Sequence, residues 1–280
     1  YANLVTSGVP FARARLDALA RAGVDHVQLS VQAADAAASD AIAGHPSFAQ
    51  KLEVARSIKA LGLPLTLNCV LHAANVGDVD AIAALAEALG ADRLELASVQ
   101  LLGFALANRA ALLADKVAID AAFTAAERHK ARLRGRMEIV FVLPDYVADR
   151  PRACMDGWAA RYVVVDPYGF VLPCHAARSI PDLAFESVRS RRLADVWRDA
   201  PALVRFRGDA WMAEPCRSCA RKSVDFGGCR CQAFALTGDA AATDPACALA
   251  PAHDVVAAAR AEARAATERR YLFRGFPRAT

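Results

Sequence analysis

Cysteine spacing is the feature that most constrains the fold and chemistry of this chain of 280 residues. Seven of its eight cysteines lie in the second half, spaced C-x19-C and, further on, C-x2-C-x9-C-x1-C-x15-C. These seven are Cys154, Cys174, Cys216, Cys219, Cys229, Cys231 and Cys247. Thiolates at such short separations can reach one or two shared metal centres, so the pattern predicts ligation of a soft metal. The Ala-rich sequence shows no secretory leader, so we expect a cytoplasmic protein without a disulfide framework.

The bulk composition disfavours two classes of partner. The net charge is only +4, and the arginines are scattered rather than gathered in a basic stripe with aromatic residues. We therefore expect no nucleic-acid partner. Charge interrupts every apolar run within about 20 residues, the length that a membrane-spanning helix needs, so we also expect no membrane partner. With 55% apolar residues the chain can build a sizeable core, and its length suits a large domain with a smaller module.

The first half alternates short β-branched or apolar runs with helical patterns. Strands are predicted at Asn3–Thr6, His26–Val31, Leu65–Leu71, Arg93–Val99 and Glu138–Val142, and helices at Phe11–Arg21, Ser47–Leu61, Val79–Leu89 and Lys116–Leu133. Strands that alternate with helices in this way are typical of βαβ units and a parallel sheet. Because five strands are too few for a closed eight-stranded barrel, the pattern predicts a partial barrel.

Polar side chains lie near the carboxyl ends of three successive predicted strands. Ser30 and Gln32 end the second strand and Asn68 lies late in the third, while Ser98 and Gln100 end the fourth. Parallel α/β folds bind their ligands at this edge of the sheet, so these side chains are candidates for facing a ligand. The alternative is that each one hydrogen-bonds a neighbouring strand or loop.

The composition changes after the fifth predicted strand and indicates a second module. The segment LPDYVADRPRACMDGW has two prolines and no period, which indicates a linker. A β-hairpin with strands Arg161–Val165 and Phe170–Leu172 follows and delivers Cys174. The range Pro215–Cys231 has too few apolar residues to order itself, so we expect metal binding to order it. A terminal helix is predicted after Pro251.

Four kinds of site compete for the cysteines: disulfides, structural zinc, a redox CxxC pair and iron–sulfur clusters. The C-x2-C pair that begins at Cys216 has a zinc-knuckle spacing, whereas clusters tolerate varied spacing and a non-cysteine ligand. Two centres with four ligands each need eight ligands, and we interpret Cys69 as a buried apolar residue. The eighth position is then open or filled by another ligand, for which Asp225 and His175 are the candidates. Asp225 as a mere turn cap is the alternative.

Several stretches of the sequence carry a family resemblance. They are PCRSC, DFGGCRCQAFALTGDAAATDPAC, ACMDGW and VLPCHAA in the second half, and YANLVTSG, DHVQLSVQ, GADRLELASVQ and LLGFALANR in the first. They resemble radical S-adenosylmethionine (SAM) enzymes with a SPASM module, and most of all the PqqA peptide cyclase (PqqE) family. The resemblance implies an α/β fold with a partial (β/α)6 TIM-like barrel over residues 1–143. A SPASM domain would follow over 144–250 and a C-terminal helix or tail over 251–280.

The resemblance also implies cofactors. Two auxiliary iron–sulfur clusters, each of the 4Fe-4S or 2Fe-2S type, would occupy the SPASM domain. The ligands of one would be Cys154, Cys174, Cys229 and Cys231, and those of the other Cys216, Cys219, Asp225 and Cys247. SAM and a third cluster, of the 4Fe-4S type, belong to the complete enzyme, where Ser30, Gln32 and Asn68 would face the SAM cofactor.

The chemistry and partners of the family follow from the same resemblance. Its members cleave SAM reductively, and the resulting 5′-deoxyadenosyl radical abstracts a hydrogen atom from a Glu side chain of the peptide PqqA. A carbon–carbon bond to a Tyr ring of PqqA then forms during pyrroloquinoline quinone (PQQ) biosynthesis. The chaperone PqqD would present the peptide, and a reductant such as flavodoxin would supply electrons.

The chain departs from this family at two places. It contains neither the C-x3-C-x2-C triplet nor the Gly-rich SAM-contacting segment, so these 280 residues alone are predicted not to cleave SAM. After Gln100, where an aromatic-rich stretch is expected, the chain has Leu101, Leu102 and Phe104. The alternative functions are another SPASM enzyme that modifies a peptide or matures a sulfatase, and a zinc-binding scaffold without catalysis.

Overall fold

The computed structural model describes residues 1–273 and divides into two compact units. Among the described residues, the first unit comprises Tyr1–Val99 and Ala111–Leu143, and the second comprises Gln100–Ala110 and residues 144–273. Residues 100–110 lie inside the predicted barrel range but group with the second unit. The predicted tail beyond residue 273 lies outside the described residues. No helix within residues 1–273 is both long and apolar enough to cross a membrane.

A five-stranded parallel sheet organises the first unit. Its strands are β1 Asn3–Thr6, β2 His26–Ser30, β3 Leu65–Leu71, β4 Arg93–Ser98 and β5 Glu138–Phe141, and they lie side by side in chain order. A doubly wound sheet reverses its strand order at a switch point, whereas a barrel keeps winding in one direction. The unbroken order therefore supports the predicted partial barrel, and the strand bounds match the prediction to within one residue.

Twelve α-helices accompany the strands within residues 1–273. They are α1 Arg13–Arg21, α2 Ala36–Ala43, α3 Phe48–Ala60, α4 Val79–Ala88, α5 Gly103–Ala107, α6 Arg109–Leu112, α7 Lys116–Arg132, α8 Leu193–Asp199, α9 Pro201–Val204, α10 Lys222–Asp225, α11 Arg230–Thr237 and α12 His253–Ala265. Helices α1, α3, α4 and α7 confirm the predicted helices. Helix α2 was not predicted, because its only large apolar residue is Ile42 and no helical period results. Asp35, whose Oδ1 accepts from the Ala38 N–H at 2.9 Å, is the N-cap that could have revealed it.

Apolar side chains fix the register of the sheet. Leu29, Leu67, Leu94 and Ile139 are buried and lie opposite one another on β2 to β5. Burying each such side chain contributes about 1.5–3 kcal/mol, and a slip by one residue would turn the whole row to the other face. The next row, on the opposite face of the sheet, is therefore free to carry polar side chains.

The second unit has little regular structure beyond its short helices. Its sheet is a two-stranded antiparallel hairpin of β6 Val164–Val165 and β7 Val171–Leu172, shorter than predicted. Asp166 makes the turn, because its Oδ1 accepts from the N–H groups of Tyr168 at 3.0 Å and Phe170 at 2.9 Å. The backbone also closes the turn, because the Asp166 N–H donates to the Phe170 carbonyl at 3.0 Å. Cys174 follows β7 directly, as predicted.

A compact apolar cluster forms the core of this second unit. Its buried members include Trp158, Val171, Leu183, Val196, Leu203 and Phe206. The indole Nε1–H of Trp158 donates to the Ala202 carbonyl at 2.9 Å, and its ring meets that of Phe206 edge to face with centroids 5.2 Å apart. The core therefore has a polar anchor as well as apolar contacts.

Candidate metal centres

Four cysteines of the second unit come together around helix α11. Cys229 precedes the helix and Cys231 lies in its first turn, while Cys174 arrives from the hairpin. The sulfur atoms of Cys174 and Cys231 are 3.5 Å apart, and the Cys229 thiol hydrogen-bonds those of Cys154 and Cys231. We refer to Cys154, Cys174, Cys229 and Cys231 as the first cysteine group. It has the composition expected of one predicted ligand set.

The thiols of the first cysteine group perturb one another's ionisation. Hydrogen bonding with Cys174 raises the pKa of Cys231, and hydrogen bonding with Cys229 raises the pKa of Cys154. The same contacts lower the pKa of Cys174 and of Cys229. In each pair, one thiol therefore holds its proton more tightly, and its partner loses its proton more readily. A bound metal would replace these protons, and all four sulfurs could then be thiolates.

A cavity of about 300 Å³ opens beside the first cysteine group. Its lining includes Cys154, Cys174 and Cys229 together with Arg152, Tyr162 and His175. Burial, together with the neighbouring cysteines, raises the pKa of Tyr162 to about 12, so its phenol stays neutral. Arg152 Nε donates to Asp145 Oδ1 at 2.7 Å, and this bond holds the Arg152 guanidinium at the cavity wall. The thiols thus border a space with both apolar and polar walls.

The other three clustered cysteines line a second, much narrower cavity with Asp225. We refer to Cys216, Cys219, Asp225 and Cys247 as the second group; they surround a void of about 10 Å³. Asp225 ends helix α10 and is buried, and its Oδ1 accepts from the Gly227 N–H at 3.1 Å. Arg150 Nη1 donates to Cys247 Sγ at 3.4 Å. His175, the rival to Asp225 as eighth ligand, lines the first cavity instead.

The chemistry of both groups fits iron–sulfur clusters. Clusters need thiolates and accept an occasional oxygen ligand, and the groups offer four sulfurs and three sulfurs with one carboxylate. Within residues 1–273, no three His, Cys, Asp or Glu side chains have a geometry suited to a single metal ion. The first group has adjacent space for a cluster, whereas the ligands of the second group would have to separate. Cys69 is buried in β3, and burial raises its pKa to about 12, as expected of an apolar role.

Two buried charged residues next to the cysteines were missed by the sequence reasoning. Arg230 lies between Cys229 and Cys231, and its guanidinium donates to the carbonyls of Gly227, Ala240 and Ala242. Its guanidinium also stacks on the Trp211 ring, 4.6 Å from the centroid. Burial lowers the pKa of Arg230, and Asp244 is the foremost of the groups that oppose this shift. A charged residue between two predicted ligands was the signal available in the sequence.

Asp244 is the second of these residues, and it holds the start of helix α11. Its Oδ2 accepts from the Cys229 N–H at 2.7 Å, and its Oδ1 accepts from Gln232 Nε2 and the Ala246 N–H, both at 3.0 Å. Gly228 lies so close that a Cβ atom there would come within 2.5 Å of the Asp244 Cβ. Only a glycine therefore lets the carboxylate reach the Cys229 amide.

The polar residues at the strand ends of the first unit fall into two environments. Ser30 and Asn68 lie opposite each other on β2 and β3, and Asn68 lies opposite Glu95 on β4, all partly exposed on one face. Gln32 differs, because its Oε1 accepts a hydrogen bond from Lys51 Nζ of helix α3. The structure therefore brings Ser30 and Asn68 together and pairs Gln32 with a buried lysine.

Family comparisons match both halves of the chain. Residues 1–86 match the Radical SAM superfamily, and residues 154–220 match the SPASM family, an iron-sulfur cluster-binding domain. Enzymes of this superfamily that carry this domain use SAM and iron–sulfur clusters, which are the cofactors the two matches imply. The chain is thus a radical SAM enzyme by these sequence matches.

Solved structures support the fold. The crystal structure of Streptococcus suis SuiB matches with a TM-score of 0.64 and 15% identity, over 82% of this chain and 56% of SuiB. The chain therefore spans little more than half of SuiB. The structure of anSMEcpe with bound AdoMet matches with a TM-score of 0.61 and 14% identity, over 92% of this chain and 72% of that protein.

Sequence relatives are much more similar. The PqqA peptide cyclase of Methylocella silvestris is 53% identical over 98% of this chain and 75% of the relative. That of a Methylobacterium species is 52% identical over 98% of this chain and 73% of the relative. With both domain matches and this identity along nearly its whole length, the chain belongs to the PqqA peptide cyclase family of radical SAM enzymes.

Proposed function

We propose that the protein forms the Glu–Tyr carbon–carbon crosslink in the peptide PqqA during PQQ biosynthesis. The observation that carries this proposal is the 53% identity to a PqqA peptide cyclase over 98% of the chain. The eight candidate ligands support it, because they gather into two groups of four, and four of the eight lie within residues 154–220, the range that matches an iron-sulfur cluster-binding family. Two auxiliary clusters suit a reaction that removes electrons from a peptide.

The two groups are proposed as the ligands of two auxiliary clusters, each 4Fe-4S or 2Fe-2S. The first cysteine group holds one cluster through four thiolates, and the second group holds the other through three thiolates and the Asp225 carboxylate. When bound, the clusters supply one-electron chemistry. The chain fixes the ligands by placing Cys229 and Cys231 at the start of one helix and Asp225 at the end of another. SAM and a third cluster, 4Fe-4S, complete the proposed cofactor set.

The residues proposed to face SAM are Ser30, Gln32 and Asn68. Ser30 and Asn68 are partly exposed neighbours on one face of the sheet, where a hydroxyl and a carboxamide can hydrogen-bond a polar ligand. Gln32 would act differently, because its side chain already accepts a hydrogen bond from Lys51. Its proposed role is to fix the loop after β2, since the Gln32 carbonyl accepts from Asn75 Nδ2 at 2.8 Å.

The proposed partners are PqqA as substrate, PqqD as peptide chaperone and a reductant such as flavodoxin. The names of the relatives support PqqA. SuiB, which shares the fold, has been solved bound to its precursor peptide SuiA. PqqD and flavodoxin rest on the family resemblance alone.

Anaerobic turnover tests this function. The complete protein is incubated with PqqA, PqqD, SAM and reductant, and the peptide is analysed by tandem mass spectrometry. We expect a product lighter by two hydrogen atoms whose fragments show the Glu and Tyr residues joined. A PqqA variant with Gln in place of that Glu is the matched control and should stay unmodified. Unmodified PqqA with intact clusters would contradict the proposal, and colourless protein containing zinc without acid-labile sulfide would favour the scaffold alternative.

A further inference from the structure

One buried cation lies beside both groups of candidate ligands. Arg230 is 1% exposed, and along the chain it stands between Cys229 and Cys231, two members of the first cysteine group. The backbone of Arg230 therefore lies directly beside two ligands of the first cysteine group. Arginines are rarely buried to this extent unless they are paired with a negatively charged group.

The guanidinium of Arg230 extends to the wall of the second cavity. It donates to the carbonyl of Gly227, a residue that lines that cavity, and to the Ala242 carbonyl at 2.7 Å. The next residue, Thr243, also lines the cavity, and its Oγ1 lies 3.3 Å from Cys216 Sγ. One side chain thus reaches from the first group to the lining of the second.

One donor of the Arg230 guanidinium remains available for a ligand. Its Nε–H is buried and has no hydrogen-bond acceptor within residues 1–273. A buried donor without an acceptor is unfavourable, and a sulfide or thiolate of a bound cluster is an acceptor that would suit it.

We propose that Arg230 is a shared electrostatic residue whose fixed positive charge raises the reduction potentials of both auxiliary clusters. The inference rests on the two-centre assignment under the proposed function. One electron from an external reductant would add one negative charge to a bound cluster, next to the guanidinium. Because the site is buried and of low dielectric, the reduced form of each cluster is stabilised more than the oxidised form.

Potentiometric titration followed by EPR tests the proposal on the complete, anaerobically purified protein. Three variants are compared with the wild type: Arg230→Gln, Arg230→Lys and Arg150→Gln. Arg230→Gln removes the charge and should shift both potentials to more negative values. Arg230→Lys keeps the charge and should shift both by less. Arg150→Gln is the matched control, because Arg150 contacts Cys247 of the second group, and it should shift only that centre.

Three outcomes would overturn the proposal. In the first, Arg230→Gln leaves either potential unchanged. In the second, Arg230→Lys shifts both as far as Arg230→Gln does, so charge is not the cause. In the third, both Arg230 variants lose a cluster by iron and sulfide analysis, so the role is structural. Wild-type protein with only one auxiliary cluster would instead contradict the two-centre assignment, together with the inference. Normal PqqA crosslinking with two clusters and unmoved potentials would contradict the inference alone.

Discussion

The two groups of candidate ligands differ in what surrounds them. Cys231 of the first cysteine group belongs to the apolar core of its unit, and Cys174 and Cys229 pack against that core; the group borders a cavity of about 300 Å³. The second group encloses a void of about 10 Å³, and within residues 1–273 none of its cysteines belongs to that core cluster. The apolar core thus packs against the first group, whereas the second group lies outside that core.

Removing the core around the first group should have the largest effect. Trp158→Ala deletes a buried ring and an indole hydrogen bond, which costs about 3–5 kcal/mol of unfolding free energy. Urea unfolding followed by circular dichroism measures it. The matched control is Phe104→Ala, because Phe104 belongs to the same unit but is 52% exposed, and its loss should cost less than about 0.5 kcal/mol. Equal losses would show that the core does not support this unit.

Replacing one cysteine of each group should separate the two environments. Cys231→Ser and Cys219→Ser each remove one ligand, and each should lower the iron content by about one cluster. Cys231 is fully buried, so its new hydroxyl adds a desolvation cost of about 1–3 kcal/mol that the partly exposed Cys219 avoids. Iron analysis and urea unfolding of both variants test this. If Cys219→Ser were the less stable protein, the contrast between the groups would be wrong.

The two centres should take up iron and sulfide in an order set by the size of the cavity beside each ligand group. The first group borders a cavity, whereas the ligands of the second must move apart, so limiting iron and sulfide should fill the first centre first. EPR during stepwise anaerobic reconstitution measures this order. Arg150→Gln serves as a control, since it alters only contacts of the second group and should leave the first step unchanged. Earlier filling of the second centre would reverse the comparison.

The smallest effect is expected from the single carboxylate. Asp225→Ala should change the EPR signal of the second centre alone and reduce the unfolding free energy by no more than about 1 kcal/mol, the contribution of its hydrogen bond to Gly227. Asp209→Ala, at an exposed ion pair with Lys222, is the matched control and should change neither signal. An unchanged signal in Asp225→Ala would leave Asp225 as a turn residue only.

Periodic parts of this fold were predictable from sequence, and long-range polar contacts were not. All five strands of the first unit were predicted because their apolar residues repeat between glycine-containing turns. Helix α2 was not predicted, because its Ala-rich sequence has no distinct apolar face. The hairpin was predicted too long, because its first strand begins at Val164 rather than Arg161, and Phe170 forms an isolated bridge with Ser187 instead of extending β7.

The candidate sites show the same limit. Family resemblance supplied the two ligand sets, and the structure brings the members of each set together. Arg230 and Asp244 were missed because several of their partners are backbone groups 10–15 residues away, which no spacing rule reveals. Ser30 and Gln32 looked equivalent in sequence, yet only Gln32 bonds a lysine from helix α3.

The close approach of Gly228 to Asp244 has a consequence for how such a chain can evolve. If the seven clustered cysteines are cluster ligands as proposed, a lineage that lost its clusters would be free to replace them one by one. Gly228 would remain fixed as long as Asp244 still held the Cys229 amide, because any side chain there would collide with the carboxylate. Among descendants that no longer bind clusters, Gly228 should therefore be retained longer than the cysteines.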